Sequence, residues 1–254
     1  MITSPDVRPW QMRLPFFYGW IIVGVGFIAS VFSIGLTWAA GLLAVPMGAE
    51  LLWSRSAIFF AVSLRGWLGI LVTPFIGPYL DRPNGPRVLA LIGGLVNSAS
   101  LLLMPLMDSA WQFVVLFGVL GGLAQAAQGG ITAAIVPKWF VRQRGSAIAI
   151  STLGGGLAAV LLPPLVAVLA GAAGWRGAWL VIAILAFAFG TLPALLLRRE
   201  PEDLGLRPDG GPAVSVPSSP QVHQRAEEPS FTRDEALRSN VFWVLLVGIA
   251  VGSL

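Results

Sequence analysis

Arg65 is the residue whose type and place most invite chemistry. It stands inside the apolar stretch Ser56–Pro78, about nine residues from its start, or roughly 14 Å at the helical rise. An arginine at mid-membrane depth costs roughly 2.5–3.5 kcal/mol on insertion scales, so it must face a cavity or a partner. No Asp or Glu lies well inside an apolar stretch to neutralise it. Two readings are open: a cation that holds an anionic group of a solute, such as a carboxylate, or a side chain that snorkels or bonds backbone carbonyls and nearby glutamines. Gln125, Gln128 and Thr132 recur at i, i+3 and i+7, one face of a helix, where they can bond a solute or a neighbouring helix. Ser30, Ser33 and Thr37 form a similar small polar stripe, and Asn97 lies about halfway along another apolar stretch. Trp38 and Trp67 lie deeper than the tryptophans near stretch ends. The candidate substrate-binding set is Arg65, Gln125, Gln128, Thr37, Trp38 and Trp67.

Other chemistries are excluded by composition. Cysteine is absent and the one histidine, His223, sits in a polar stretch. Thiolate and imidazole metal sites, a cysteine nucleophile and buried Ser-His catalysis are thereby ruled out. No Gly-x-x-x-x-Gly-Lys-Ser/Thr loop is present. The expectation is a protein that is not an enzyme, with no cofactor and no metal. The net charge of +4 is not gathered into a patch, so nucleic acid is not an expected partner.

Such side chains must be held by membrane helices. Of the 254 residues 56% are hydrophobic and only 11% charged, against about 25% charged in soluble domains. A crossing helix needs about 20 apolar residues. Six such stretches are read: Phe17–Ala44, Ser56–Pro78, Val88–Met107, Trp111–Val136, Gly145–Ala170 and Gly177–Leu197. The partition is an N-terminal segment 1–16, a six-helix bundle 17–197, a polar linker 198–240, and a seventh stretch 241–254, too short to cross. The chain is therefore read as the N-terminal part of a longer protein. Within the linker, Phe231–Ser239 has the pattern of a short surface helix, with Thr232 as N-cap and Glu235 three residues on.

Orientation follows from the breaks. With the N-terminus in the cytoplasm, Arg8, Arg13, Arg82, Arg87, Lys138, Arg142, Arg144, Arg198, Arg199, Arg207, Arg225, Arg233 and Arg238 lie inside, and only Arg55 and Arg176 lie outside. That bias obeys the positive-inside rule. The expected location is a cell (inner or plasma) membrane.

The stretches also repeat. Trp20 maps to Trp111 and Pro46 to Pro137 at an offset of 91. Ser56-Ala57-Ile58 maps to Ser146-Ala147-Ile148 and Pro74 to Pro164 at 90, and Arg87 to Arg176 at 89. Three stretches separate the copies, so the copies face opposite ways. Inverted three-helix repeats are a building plan of secondary transporters.

The break after the second stretch reads Gly77-Pro78-Tyr79-Leu80-Asp81-Arg82-Pro83-Asn84-Gly85-Pro86-Arg87. Asn84-Gly85 suits a tight turn and Pro86 the first turn of a helix. Gly77 is expected to remove a side chain where two helix ends converge. The pattern G-x-x-x-D-R-x-x-G-x-R, placed between stretches two and three, resembles the signature loop of the major facilitator superfamily. Phe17-Tyr18-Gly19-Trp20, Lys138-Trp139-Phe140, Arg142, Arg144-Gly145, Gly154-Gly155-Gly156, Gly174-Trp175-Arg176 and Pro201–Gly210 are similar to its monocarboxylate-porter-like and oxalate/formate-antiporter-like branch. The resemblance implies a gating role for Gly77, Asp81, Arg82, Gly85, Arg87, Arg142 and Arg144. It also implies a second, C-terminal six-helix half as partner.

The expected fold is an all-α integral membrane protein: a major-facilitator-type six-helix N-terminal bundle, a 3+3 inverted repeat, plus the start of a seventh helix. Gly154-Gly155-Gly156 and Pro163-Pro164 are expected to let the fifth helix bend, or to serve packing. The expected function is secondary active transport by alternating access of a small organic anion such as a monocarboxylate. Its partners are the solute, a coupled ion such as a proton, and the lipid bilayer. The alternatives are a membrane subunit of a multi-chain transporter and a non-catalytic membrane assembly partner.

Overall fold

The computed structural model describes residues 15–210, together with Ser239 and Val244. The chain divides into two units, Met1–Ala213 and Val214–Leu254. The seventh stretch, His223 and the helix pattern at 231–238 lie outside the described residues. The described part of the first unit is helical. We name α1 (Gly19–Leu51), α2 (Arg55–Leu80), α3 (Gly85–Leu103) and α4 (Ala110–Trp139). A helical run then covers Arg144–Leu196, 53 residues, about 80 Å at the helical rise and so enough for two crossings. It breaks at Gly174, where φ is 67° and ψ is 176°, a conformation open to glycine alone. The two parts are α5 (144–173) and α6 (175–196). Among the described residues five helical runs are long and apolar enough to cross a membrane, and the last, long enough for two crossings, completes the six that the sequence predicts.

Most helix ends fall within about three residues of the sequence reading, and the end of α1 departs furthest. α1 continues through Pro46 to Leu51, seven residues past the predicted Ala44, which brings Glu50 onto the helix. There Glu50 accepts bonds from Trp175 Nε1 at 2.7 Å and from the Arg176 guanidinium. Arg176 Nε also donates to the Pro105 carbonyl at 3.1 Å. One end of the bundle is thus tied across α1, the turn after α3, and α6.

Between helices in lipid there is no hydrophobic gain, so close contact of small residues holds them together. α1 meets α5 in this way. A Cβ on Gly154 would overlap the Phe27 carbonyl oxygen, and one on Gly155 would overlap the Ile34 side chain. α2 meets α4 likewise: a Cβ on Gly118 would lie 3.1 Å from the Ala61 oxygen and 3.2 Å from Leu64, and one on Gly122 would lie 2.8 Å from Leu68. These two interfaces are copies. The offset of 91 takes Phe27 to Gly118, and the offset of 90 takes Leu64 to Gly154. The contact between Gly154 and Phe27 therefore reappears between Leu64 and Gly118. The same offsets take Ile34 to Gln125 and Arg65 to Gly155, and the contact of Gly155 with Ile34 reappears as that of Arg65 with Gln125.

Gly154 and Gly155 of the α5 run pack against α1, while Gly156 faces open space. Gly174 is the one non-helical position in Arg144–Leu185, so the helix runs unbroken through Pro163-Pro164. Gly154→Ala is expected to destabilise the bundle by ~1–3 kcal/mol through overpacking against backbone. Gly156→Ala, whose Cβ would meet open space, is expected to be neutral or slightly stabilising. Thermal unfolding in detergent compares the two.

Apolar cores close both ends of the bundle. One is built around Met47, Ile58, Met104, Phe117 and Trp179. The other is built around Tyr18, Trp139, Phe140, Leu197 and Leu204. The polar side chains gather in the layer between them.

Candidate functional site: a polar cavity around Arg65

A cavity of about 260 Å³ lies in that layer, with walls from all six helices. Arg65, Gln125 and Gln128 of the candidate set line it, as do Ser30, Ser33, Asn97 and Thr132. Thr37, Trp38 and Trp67 do not. Trp67 is two residues beyond Arg65, roughly 200° around the helix, and is 64% exposed. Thr37 and Trp38 lie about one helical turn past Ser33, and both are exposed. Thr37 shares the helix face of Ser33 but lies a turn further along, beyond the cavity wall. Ser151, Thr152 and Thr191 also line the cavity and were not singled out from sequence. Ser30 Oγ donates to the Ser151 carbonyl at 2.9 Å, and Ser98 and Thr191 hydroxyls pair at 3.1 Å.

Arg65 is only 4% exposed. Its Nε donates to Gln125 Oε1 at 3.0 Å and its Nη2 to Asn97 Oδ1 at 3.4 Å. Its Cζ stands 4.8 Å from the centre of the Phe117 ring, within cation–π range. The side chain therefore bonds glutamine, one of the two readings open from sequence, and does so without reaching an acid. The acidic residues among the described ones are Glu50, Asp81, Asp108, Glu200, Glu202, Asp203 and Asp209. All lie at helix ends or in connections.

Room for the guanidinium comes from α4. A Cβ on Gly121 would overlap Arg65 Nη1. Just before it, Val114–Leu120 is a π-helical stretch, a feature frequent at functional sites. A second π-helical stretch, Ala186–Thr191, brings Thr191 against Gly94 of α3. The glycines of Gly118-Val119-Leu120-Gly121-Gly122 were the available signal for this slot in the sequence.

The loop between α2 and α3 gathers the proposed gating residues at the other end of α2. Asn84 adopts a left-handed turn, φ 60°, and Pro86 opens α3. A Cβ on Gly85 would collide with the Tyr79 carbonyl oxygen. The Cβ of a residue at Gly77 would meet open space, so Gly85, and not Gly77, makes room at this junction. Asp81 Oδ1 is 3.7 Å from Lys138 Nζ, and the Asp81 carbonyl accepts from Arg199 Nη1 at 2.5 Å. The Arg82 guanidinium covers the Tyr79 ring at 4.4 Å, and Arg87 is half-buried at the start of α3. Arg144 Nη2 reaches the Pro137 carbonyl at 3.4 Å.

The first part of the stretch read as a linker is docked on this same end. Pro201 and Leu204 are buried, and Leu204 joins the core of Tyr18 and Trp139. Asp209 accepts from the backbone N–H of Arg142 at 2.8 Å and of Val141 at 3.2 Å. Composition alone hid this, because two buried residues suffice to seat a ten-residue segment on an existing core.

Comparison with known proteins agrees with this architecture. The family model described as Major Facilitator Superfamily matches residues 23–254. Monocarboxylate transporter 14 of Mus musculus is 28% identical over 201 residues, covering 79% of this chain and 39% of that protein. Its Homo sapiens counterpart is 30% identical over 164 residues, covering 65% and 32%. An uncharacterized MFS-type transporter of Bacillus subtilis (strain 168), YcxA, is 28% identical over 197 residues, covering 77% and 45%. The chain thus spans less than half the length of these relatives. With six apolar helices, the signature loop with its tight turn, and a family match over most of its residues, the chain belongs to the major facilitator superfamily.

Proposed function

We propose that this chain forms the anion-holding half of a secondary transporter for a small organic anion, a monocarboxylate being the simplest case. The observation that carries this reading is that Arg65, among the described residues, pairs with neutral groups only, at the wall of a polar cavity. A buried guanidinium has five N–H donors and binds carboxylate through a planar fork. Gln125 and Asn97 occupy two of those donors, which leaves others for a solute. The repeat supports the same reading. At the position equivalent to Arg65 the other copy carries Gly155, and it still makes the equivalent helix contact, with Ile34. Helix pairing therefore does not require a charge at this position.

In this reading the bundle rocks against a second six-helix half, exposing the cavity to either side in turn. The solute gradient or a coupled ion such as a proton supplies the energy. The loop residues Asp81, Arg82, Arg87, Arg142 and Arg144 act at the cytoplasmic mouth, and the N-terminus lies in the cytoplasm of a plasma or inner membrane. The positive-inside bias supports that orientation. The names of the relatives support the solute class.

The test is uptake by the intact protein in proteoliposomes. Radiolabelled formate, acetate, pyruvate and lactate are compared with the matching amides and with small amines. Saturable uptake of at least one carboxylate, with no uptake of its amide, is expected. Uptake of amines or amides alone would overturn the reading, and so would uptake of none of these solutes.

A further inference from the structure

We propose that Asn97 of α3 is a positioning residue of the anion site: together with Gln125 it fixes the Arg65 guanidinium without neutralising it. This rests on the anion-site reading above. A buried arginine needs acceptors, because each unmet N–H in a low-dielectric site is costly. A carboxylate would meet that need most strongly, but it would also cancel the charge that attracts an anionic solute. An amide oxygen accepts a hydrogen bond and adds no net charge. The structure supplies two amides from two different helices, Gln125 Oε1 on α4 to Nε and Asn97 Oδ1 on α3 to Nη2. Asn97 is itself buried, 7% exposed. Phe117 lies against the guanidinium, and Gly121 vacates the space beside Nη1. The guanidinium is thus held on three sides, and no carboxylate among the described residues compensates its charge.

Aspartate has nearly the shape of asparagine and accepts the same bond, so Asn97→Asp isolates the charge. Uptake of the best carboxylate in the proteoliposome panel is measured for wild type, Asn97→Asp, Asn97→Ala and Arg65→Ala, with insertion and thermal unfolding checked for each. Asn97→Asp is expected to lose uptake by about tenfold or more, the scale of one neutralised contact, while unfolding at or above the wild-type temperature. Asn97→Ala, which keeps the free cation, is expected to lose less. A residue that merely fills space or donates a packing contact gives the reverse order, since alanine leaves a hole and aspartate does not. Equal losses, or a greater loss in Asn97→Ala, would overturn the positioning role. If Arg65→Ala abolishes uptake while Asn97→Asp behaves as wild type, this inference alone falls. If Arg65→Ala transports as wild type, the anion-site reading falls with it.

Discussion

Arg65→Ala is expected to reduce carboxylate uptake by about 100-fold or more, since hydrogen bonds to a charged group contribute ~1.5–3 kcal/mol each and a fork offers two. Membrane insertion should be unaffected. The alanine removes a charge that is costly at this depth, and the equivalent contact in the other repeat is made by Gly155 and Ile34 with no charge present. Arg65→Lys is the informative partner. Lysine keeps the positive charge as a point on a flexible stem and loses the planar fork. It cannot bond Gln125 and Asn97 in the arginine geometry and still present a second edge. Intermediate uptake is expected, with the loss falling mainly on KM. Initial rates over a range of carboxylate concentrations separate the two variants.

The second large effect is expected at Gly85. A Cβ there would sit on the carbonyl oxygen of Tyr79, which belongs to the helix backbone and cannot rotate away. The preceding residue, Asn84, is already committed to a left-handed turn, so neither side of the junction can yield cheaply. Gly85→Ala should therefore cost ~2–3 kcal/mol of stability, at the upper end for overpacking. It should also shift Asp81 away from Lys138 and Arg199. Gly77→Ala is the contrast. Its Cβ enters open space, and alanine is favoured over glycine in a helix by about 1 kcal/mol. Thermal unfolding of the two variants should move in opposite directions, although both glycines belong to the same signature motif.

That pair shows what the sequence could and could not reveal. The motif was readable as a string, and so were the turn at Asn84-Gly85 and the helix start at Pro86. Which glycine is sterically required depends on where Tyr79 directs its carbonyl, and no local pattern encodes that. Arg65 was legible because a charge in an apolar stretch stands out against its surroundings. Its glycine slot at Gly118, Gly121 and Gly122 was not, because the chain holds 30 glycines and only the facing helix distinguishes them. Gln125, Gln128 and Thr132 were correctly placed on one face by spacing alone. Trp67 has the depth of Arg65 but not its surroundings, because two residues along a helix reach the other side, away from the cavity. The repeat was visible at a few tryptophan, proline and arginine anchors. Its structural content lies in the duplicated contacts, where residue types differ and sequence similarity is lost: Leu64 with Gly118 matches Gly154 with Phe27, and Arg65 with Gln125 matches Gly155 with Ile34.

In this reading the Arg65 guanidinium holds the anion inside the bundle. Equilibrium calorimetry on the purified intact protein puts this to the test. The carboxylate that is taken up best, and its amide, are titrated into wild type and into Arg65→Ala. Binding of the carboxylate to wild type, with no measurable binding of the amide and none of either to Arg65→Ala, is the predicted result. Carboxylate binding of equal affinity in Arg65→Ala would contradict it.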